Sequence, residues 1–353
     1  MQTDLPANNS ILRLSIIIPL YNVAEFIEKC VLNLEQQDIA KEDYELIMIN
    51  DGSPDNSREV VLGLMQQFKN IVFIEQENKG VSLARNAGID KAAGRYLLFI
   101  DPDDYIAPNT FKRVLKSAED QDAQITFLGY KFLHEDNTVK KEILFSEYSH
   151  KLYVGIEAYP LSRGDGTTDP DRSVAILYER AFMNRYDIRY IADIPYLEDG
   201  EFLARVLCLA TKCIFEGNPF YIRTTRPGSA TNSRLFHSGK AIKGFVKGAE
   251  NLFQFQQNKQ LTSRQRIFLN QPICKFMLLA IYSGLNNDDG VKLKDVVADL
   301  KNKGLHKCPT KGCKKVYKRD GFFFNLSPWI YAVYKPVWSI FQSLSIKLFK
   351  VHI

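Results

Sequence analysis

Cysteine is scarce in this sequence: six in 353 residues, at positions 30, 208, 213, 274, 308 and 313, with no spacing that points to pairing. That is too few for a disulfide-stapled scaffold, and a reducing, cytoplasmic setting is the economical expectation. Long apolar runs are missing too. No charge-free apolar stretch reaches the roughly 18 residues of a spanning helix. Met1–Ser10 holds one charge, on Asp4, and no apolar core of a secretory signal. Beyond residue 300 it is acid that is lacking. Ten lysines and one arginine there face a single Asp320, a local net charge of +10 in a chain whose total is +5. A general nucleic-acid binder would carry its basic residues on the folded body, so nucleic acid is not an expected partner. A basic terminal segment suits an anionic surface instead.

What is present is an ordinary globular composition, 45% hydrophobic and 25% charged, long enough for about two domains. Leu14–Leu20 (LSIIIPL), Tyr44–Ile49, Ile71–Glu75 and Arg95–Ile100 read as buried strands. Between them Ala24–Gln37, Ser57–Phe68 and Ser82–Ala93 have helical apolar spacing, the first with apolar residues at 26, 27, 31, 32 and 34. This alternation predicts right-handed βαβ units and a mostly parallel sheet, whose ligands bind at the carboxyl ends of the strands. Residues 134–170 read as loop or meander. Ser173–Phe182 and Tyr196–Leu209 read as a strand-and-helix passage, and Ala241–Gln256, Ser263–Ser283 and Val291–Lys301 as helices.

The chemistry sits where the strands end. Asp101-Pro102-Asp103-Asp104 puts two carboxylates one residue apart directly after a strand. Such a pair can converge on Mg²⁺ or Mn²⁺, which share their oxygen shell with phosphates, although any acidic turn also makes Asp-x-Asp. Asp51 ends the second strand in the same way and can accept from a base or ribose; Ser53 or Asp55 beside it can cap the next helix. Gly80, Ser82 and Arg85 open a helix whose N-terminus favours phosphate. Gly80 stands alone, so no dinucleotide or Walker fingerprint is present. His306 with Cys308 and Cys313 offers half a zinc site with no second half, and His237 reads as a solvated helix-start histidine.

These blocks together resemble the family 2 glycosyltransferases. They are Ser15–Asn22 (SIIIPLYN), Asn50–Asp55 (NDGSPD), Asn78–Gly88 and Asp101–Asp104. The resemblance implies an α/β fold of GT-A type with a helical C-terminal region, and an inverting transferase. It implies that Pro19 and Tyr21 frame the nucleotide base, Asp51 bonds its imide edge, and Arg85 lies near the diphosphate or ribose. Asp101 and Asp103 would hold the ribose and the metal. Asn22, Asp104 and Glu198 would stand behind them, and Arg226 and Ser229 would contribute from a loop. Tyr196–Phe202 resembles the Glu-Asp block of the family, which implies Asp199 as the base. The implied donor is a nucleotide sugar, UDP-linked first, and the acceptor a saccharide or a polyprenyl-diphosphate-linked glycan of bacterial polysaccharide synthesis. Two other readings stand beside this one. A nucleotidyltransferase would need a Gly-rich loop and a lysine near the first strand, which are not found; a non-catalytic sugar-nucleotide scaffold would have no need of these carboxylates.

The expected organisation is a leader at 1–12, a transferase domain at 13–233, a helical domain at 234–320 and an amphipathic basic tail at 321–353. Read as a helix, 329–350 puts Trp329, Val333, Val337, Ile340, Phe341, Leu344 and Leu348 on one side and Lys335 and Lys350 opposite. This is the pattern of a helix lying on a membrane. The expected location is cytoplasmic, peripheral on the inner face of the membrane.

Overall fold

A computed structural model of the chain describes residues 12–134, 136–149, 151–163, 171–224 and 234–338. They fall into two units. Residues 1–192 with 210–227 form one, and 193–209 with 228–353 the other.

The first unit is a sheet with helices. Its elements are β1 (Leu14–Leu20), α1 (Ala24–Glu35), β2 (Tyr44–Asp51), α2 (Ser57–Gln67), β3 (Ile71–Gln76), α3 (Val81–Lys91), β4 (Tyr96–Phe99), β5 (Tyr105–Ile106), α4 (Phe111–Asp120), β6 (Ile125–Leu133), β7 (Val139–Ile143), α5 (Gly155–Leu161), β8 (Ile176–Glu179), α6 (Arg180–Arg185) and β9 (Cys213–Arg223). The strand order is β3-β2-β1-β4-β8-β6-β9-β5, with β7 on β6. β3, β2, β1 and β4 are parallel neighbours, β8 runs against β4 and β6, and β6 and β9 are parallel. The parallel block expected from the βαβ units is found in the first four strands, while the described sheet as a whole is mixed, with four parallel and four antiparallel pairings.

The β-branched runs of β1 and β2 are interior strands buried on both faces: the consecutive residues Ile16, Ile17 and Ile18 and the pair Leu46 and Ile47 are fully buried. α1 buries Ile27, Cys30, Val31 and Leu34 at helical spacing. Leu32, expected on that face, points to solvent. Asp55 ties the starts of two helices together: its carboxylate accepts from Ala24 N at 2.9 Å and from Ser57 N and Oγ at 3.2 and 2.6 Å. Within the stretch read as loop or meander over 134–170, β7 turns back antiparallel on β6 and a short helix, α5, forms. β7 is amphipathic only weakly, and it persists because β6 has an edge free beyond its pairing with β8.

The second unit is helical: α7 (Glu198–Leu209), α8 (Gly239–Gln256), α9 (Ser263–Leu285), α10 (Leu293–Asn302), α11 (Lys315–Leu326) and helical residues 328–338. α9 starts at a capping box, Thr262 with Gln265. It is long and apolar enough to cross a bilayer by length and composition alone, but most of its apolar stretch is buried within the unit. Ile273, Phe276, Met277 and Ile281 pack there with Phe245 and Val246 of α8 and Ala204 and Cys208 of α7. α7 thus folds with the helices. Its buried Glu201 accepts both arms of Arg205, at 2.6 and 2.7 Å, and the side-chain amide of Asn251 on α8.

All six cysteines are buried free thiols. Among the described residues no three His, Cys, Asp or Glu side chains are grouped to hold a metal ion.

α3 lies tight on β1. A Cβ at Gly88 would stand 2.4 Å from Ile17 Cγ2 and 3.1 Å from Ile49 Cδ1. Gly88→Ala should therefore lower unfolding free energy by ~1–3 kcal/mol, despite alanine's better helix propensity, in a urea titration.

Candidate donor site at the strand ends

β2, β1 and β4 are neighbours, and three candidate segments leave their carboxyl ends side by side. Leu20 pairs with Asn50, and Ile100 N donates to Ile17 O at 3.1 Å. Asp51 therefore lies one strand from Tyr21 on one side of β1, and Asp101 lies on the other. Pro19 is half-buried within β1, while Tyr21 is half exposed and Asn22 turns the chain with φ of 55°.

Asp51 is buried, and its carboxylate receives three hydrogen bonds. Gln76 Nε2 and Lys79 N donate to Oδ1 at 2.7 and 2.8 Å, and Gly80 N donates to Oδ2 at 2.8 Å. A carboxylate has about four acceptor positions, so a donor from a base would use the one that remains. The two loops touch: Gly52 has φ of 65°, and a Cβ there would be 2.9 Å from Asn78 N. Only glycine meets both conditions without strain.

Arg85 is buried in α3, whose N-cap Gly80 has φ of 85°. Its guanidinium lies over the Tyr190 ring, 5.3 Å from the centroid, and Nη2 donates to Asp101 Oδ1 at 3.4 Å. Tyr190 is itself pinned to α3, since Asn86 exchanges two hydrogen bonds with its backbone at 2.8 and 2.9 Å. The expected phosphate ligand is thus, in the folded chain, the partner of an acidic residue.

The acidic loop is held from two sides. On one, Asn33 of α1 bonds both backbone groups of Ile106 at 3.0 and 2.8 Å, and Gln37 reaches Ala107 O and Thr110 N at 3.2 Å each. On the other, fully buried Tyr221 of β9 donates its hydroxyl to Asp104 Oδ2 at 2.7 Å and accepts Asp101 N at 3.3 Å. Thr224 N donates to Asp104 Oδ1 at 2.8 Å, and Thr224 Oγ1 donates to Asp103 O at 2.7 Å. Burial first, then the neighbouring Asp101 and Asp103, push the Asp104 carboxyl well above the usual range. Cys30 lies near the same loop, where burial and the three carboxylates push its thiol up to about 12. It is no nucleophile at neutral pH.

Asp101 and Asp103 are only half-buried, whereas Asp104 is 3% exposed. Two hard oxygen donors on one short loop fit Mg²⁺ or Mn²⁺, which bind through one or two carboxylates and let phosphate oxygens and water complete the shell. Asp104 is committed to Tyr221 and Thr224.

Glu198 and Asp199 are half-buried at the start of α7, in the helical unit. The residue before them, Leu197, has φ of 61°, and its carbonyl accepts from Gly200 N at 2.9 Å. A left-handed leucine is an uncommon, strained conformation. Arg226 and Ser229 lie outside the described residues. His237 is half-buried rather than solvated: its ring stands edge-on to Tyr282 at 5.9 Å, and Nδ1 is buried with no hydrogen-bond partner.

The profile described as "Glycosyl transferase family 2" matches residues 15–182, which spans β1 to the first half of α6 and includes every one of these loops up to Asp104. The chain thus resembles glycosyl transferase family 2 over a stretch just under half its length. Among curated relatives, the uncharacterized glycosyltransferase EpsJ of Bacillus subtilis is 32% identical over 218 residues, 62% of this chain and 62% of its own. Glycosyltransferase GlyA of Streptococcus pneumoniae is 28% identical over 221 residues, 62% of this chain and 31% of GlyA. The minor teichoic acid biosynthesis protein GgaB of B. subtilis is 32% identical over 147 residues, 41% of this chain and 16% of GgaB. The match thus spans less than two thirds of each of these relatives. Residues 1–349 of S. aureus TarS, solved in complex with UDP-GlcNAc, share the fold with a TM-score of 0.64 at 17% identity, over 82% of this chain and 80% of that one. The fold of the family 2 domain is GT-A.

Asn33, Gln37, Tyr221 and Thr224 are supports of the family 2 loop that no motif announces. The one signal for the first two is their spacing of four across the C-terminal end of α1.

Two outcomes follow for the loops. Tyr221→Phe leaves a buried carboxylate short of a donor and should cost ~1.5–3 kcal/mol in chemical denaturation. Gly52→Ala combines a forbidden φ with a clash against Asn78 and should cost at least ~1–3 kcal/mol by the same measurement.

Proposed function

We propose that the chain transfers a hexose or N-acetylhexosamine from a nucleoside-diphosphate sugar, UDP-linked first, to a saccharide or polyprenyl-diphosphate-linked acceptor. The reaction is a metal-dependent, inverting single displacement serving bacterial cell-surface polysaccharide synthesis. The observation that carries this reading is the placement of Asp51 and of Asp101 and Asp103 at the ends of β2 and β4, on either side of β1, with Arg85 of α3 on Asp101, in a region that matches the family 2 profile. The names of relatives support the polysaccharide setting, GgaB with teichoic acid among them. TarS, solved with UDP-GlcNAc, supports the choice of UDP as first donor to test.

In this reading Tyr21 and Pro19 form one wall for the base, and Asp51 accepts from its imide edge through its remaining lone pair. Asp103 and Asp101 would hold a divalent cation, whose chemistry there would be Lewis-acid stabilisation of the diphosphate. Arg85, which donates to Asp101 at 3.4 Å, lies near the diphosphate or ribose. Asn22 and Asp104 stand behind this set, with Arg226 and Ser229 contributing loop contacts. Asp199, with Glu198 beside it, takes the proton of the acceptor hydroxyl while the acceptor oxygen bonds to the anomeric carbon. The bond from that carbon to the diphosphate oxygen breaks on the opposite face, so configuration inverts and no covalent enzyme intermediate forms.

Calorimetric titration of UDP with Mn²⁺ should show binding that excess chelator abolishes and Asp103→Ala weakens at least ~tenfold. Absence of UDP binding with and without metal would overturn the uridine assignment. Asp199→Asn should keep UDP affinity and lose ~10²–10⁴-fold in turnover with a UDP-sugar. Unchanged turnover would remove Asp199 as the base.

A further inference from the structure

The described residues expose fourteen large apolar side chains, and seven of them fall within the 22 residues from Val316 to Val337 of the helical unit. They are organised. On α11, Lys315, Lys318, Phe322 and Leu326 lie within about 80° of one another around the helix axis. The basic residues stand at its start and the apolar ones at its end. Ser327 then interrupts the helix with extended backbone, φ of −168°. Its Oγ accepts Trp329 N at 3.2 Å and its carbonyl accepts Tyr331 N at 3.1 Å, which restarts a helix over 328–338. On that segment Trp329, Ile330, Val333 and Val337 share one side and are 50%, 46%, 71% and 62% exposed.

The opposite side is anchored in the helical core. Tyr331 and Ala332 are buried there, and Phe323 stacks on Tyr334 with centroids 4.0 Å apart. Lys335 does not stand on a solvated face as the sequence predicts. It pairs with Asp320 at 2.6 Å, and Arg319 pairs with the same carboxylate at 2.8 Å. The one acidic residue beyond position 300 is thereby buried and paired, and the exposed charges on this stretch of chain are all positive. Lys307, Lys311, Lys314, Lys315 and Lys318 are exposed.

We propose that this two-helix stripe is a docking surface for an anionic phospholipid bilayer, with Trp329 and the aliphatic side chains entering the interface and the α11 lysines meeting headgroup phosphates. Apolar and cationic groups side by side match an acyl–headgroup boundary. A second copy of the chain would bring lysines against lysines. The inference is independent of the sugar-transfer reading, because it is tested without donor or acceptor.

The experiment is co-sedimentation of the full chain with vesicles of phosphatidylcholine alone or mixed with phosphatidylglycerol, in low and high salt. Binding to the anionic vesicles, falling with salt, is expected. Trp329→Ser with Val333→Ser should weaken partitioning at least ~tenfold, and Lys315→Glu with Lys318→Glu by a similar factor. The four positions are exposed, and circular dichroism with thermal melting should confirm that both variants fold as the parent does. Because the chain has two tryptophans, Trp338→Phe leaves Trp329 as the sole reporter. Its emission should shift to the blue with anionic vesicles. No binding of the parent, or equal binding of parent and both variants, would overturn the proposal. So would a parent dimer that Val333→Ser converts to monomer in the absence of any vesicle binding.

Discussion

Three carboxylates on four consecutive residues repel one another, and the acidic loop of the first unit exists only because the fold restrains it. The restraint is shared out by burial. Asp104, the deepest, is fixed by a buried tyrosine hydroxyl and a backbone amide from β9. Asp101 lies against a buried guanidinium, and Asp103 stays half-buried at the front of the loop. α1 grips the chain just beyond. Since the loop is clamped between α1 and β9, its carboxylates cannot relax apart, and the unfavourable local charge is retained in the native state.

The same logic in milder form governs Asp51. Buried at the end of a central strand, it would be costly if unpaired, and the turn at 76–80 supplies two backbone amides and the Gln76 side-chain amide. The carboxylate therefore organises the turn as much as the turn organises the carboxylate. The placement of these residues follows from buried charge and strand order alone.

The four parallel strands and three helices of the first hundred residues were legible because β-branched runs and helical spacing alternate there without interruption. The carboxylates were legible for a related reason: each directly follows a strand. What the sequence hid were contacts between distant segments. Tyr221 lies 117 residues from Asp104, and nothing local to it marks a hydroxyl aimed at an acid. Asn33 and Gln37 look like surface polar residues until β5 arrives beside α1. Two residues of β5 are too short for any periodicity. The Glu-Asp block of α7 was legible as a motif, while its association with α8 and α9 was not, because its apolar face is equally suited to a sheet. Lys335 was placed in solvent since the sequence gives no sign that Asp320 would be buried within reach.

The contact of Gly52 with the backbone of Asn78 means that the seat beside Asp51 is assembled during folding. Two turns that would otherwise have to be ordered around an incoming nucleotide are already locked to each other by three hydrogen bonds and a glycine-only approach. The loss of chain freedom at this edge is met once, when the protein folds, and not again at each encounter.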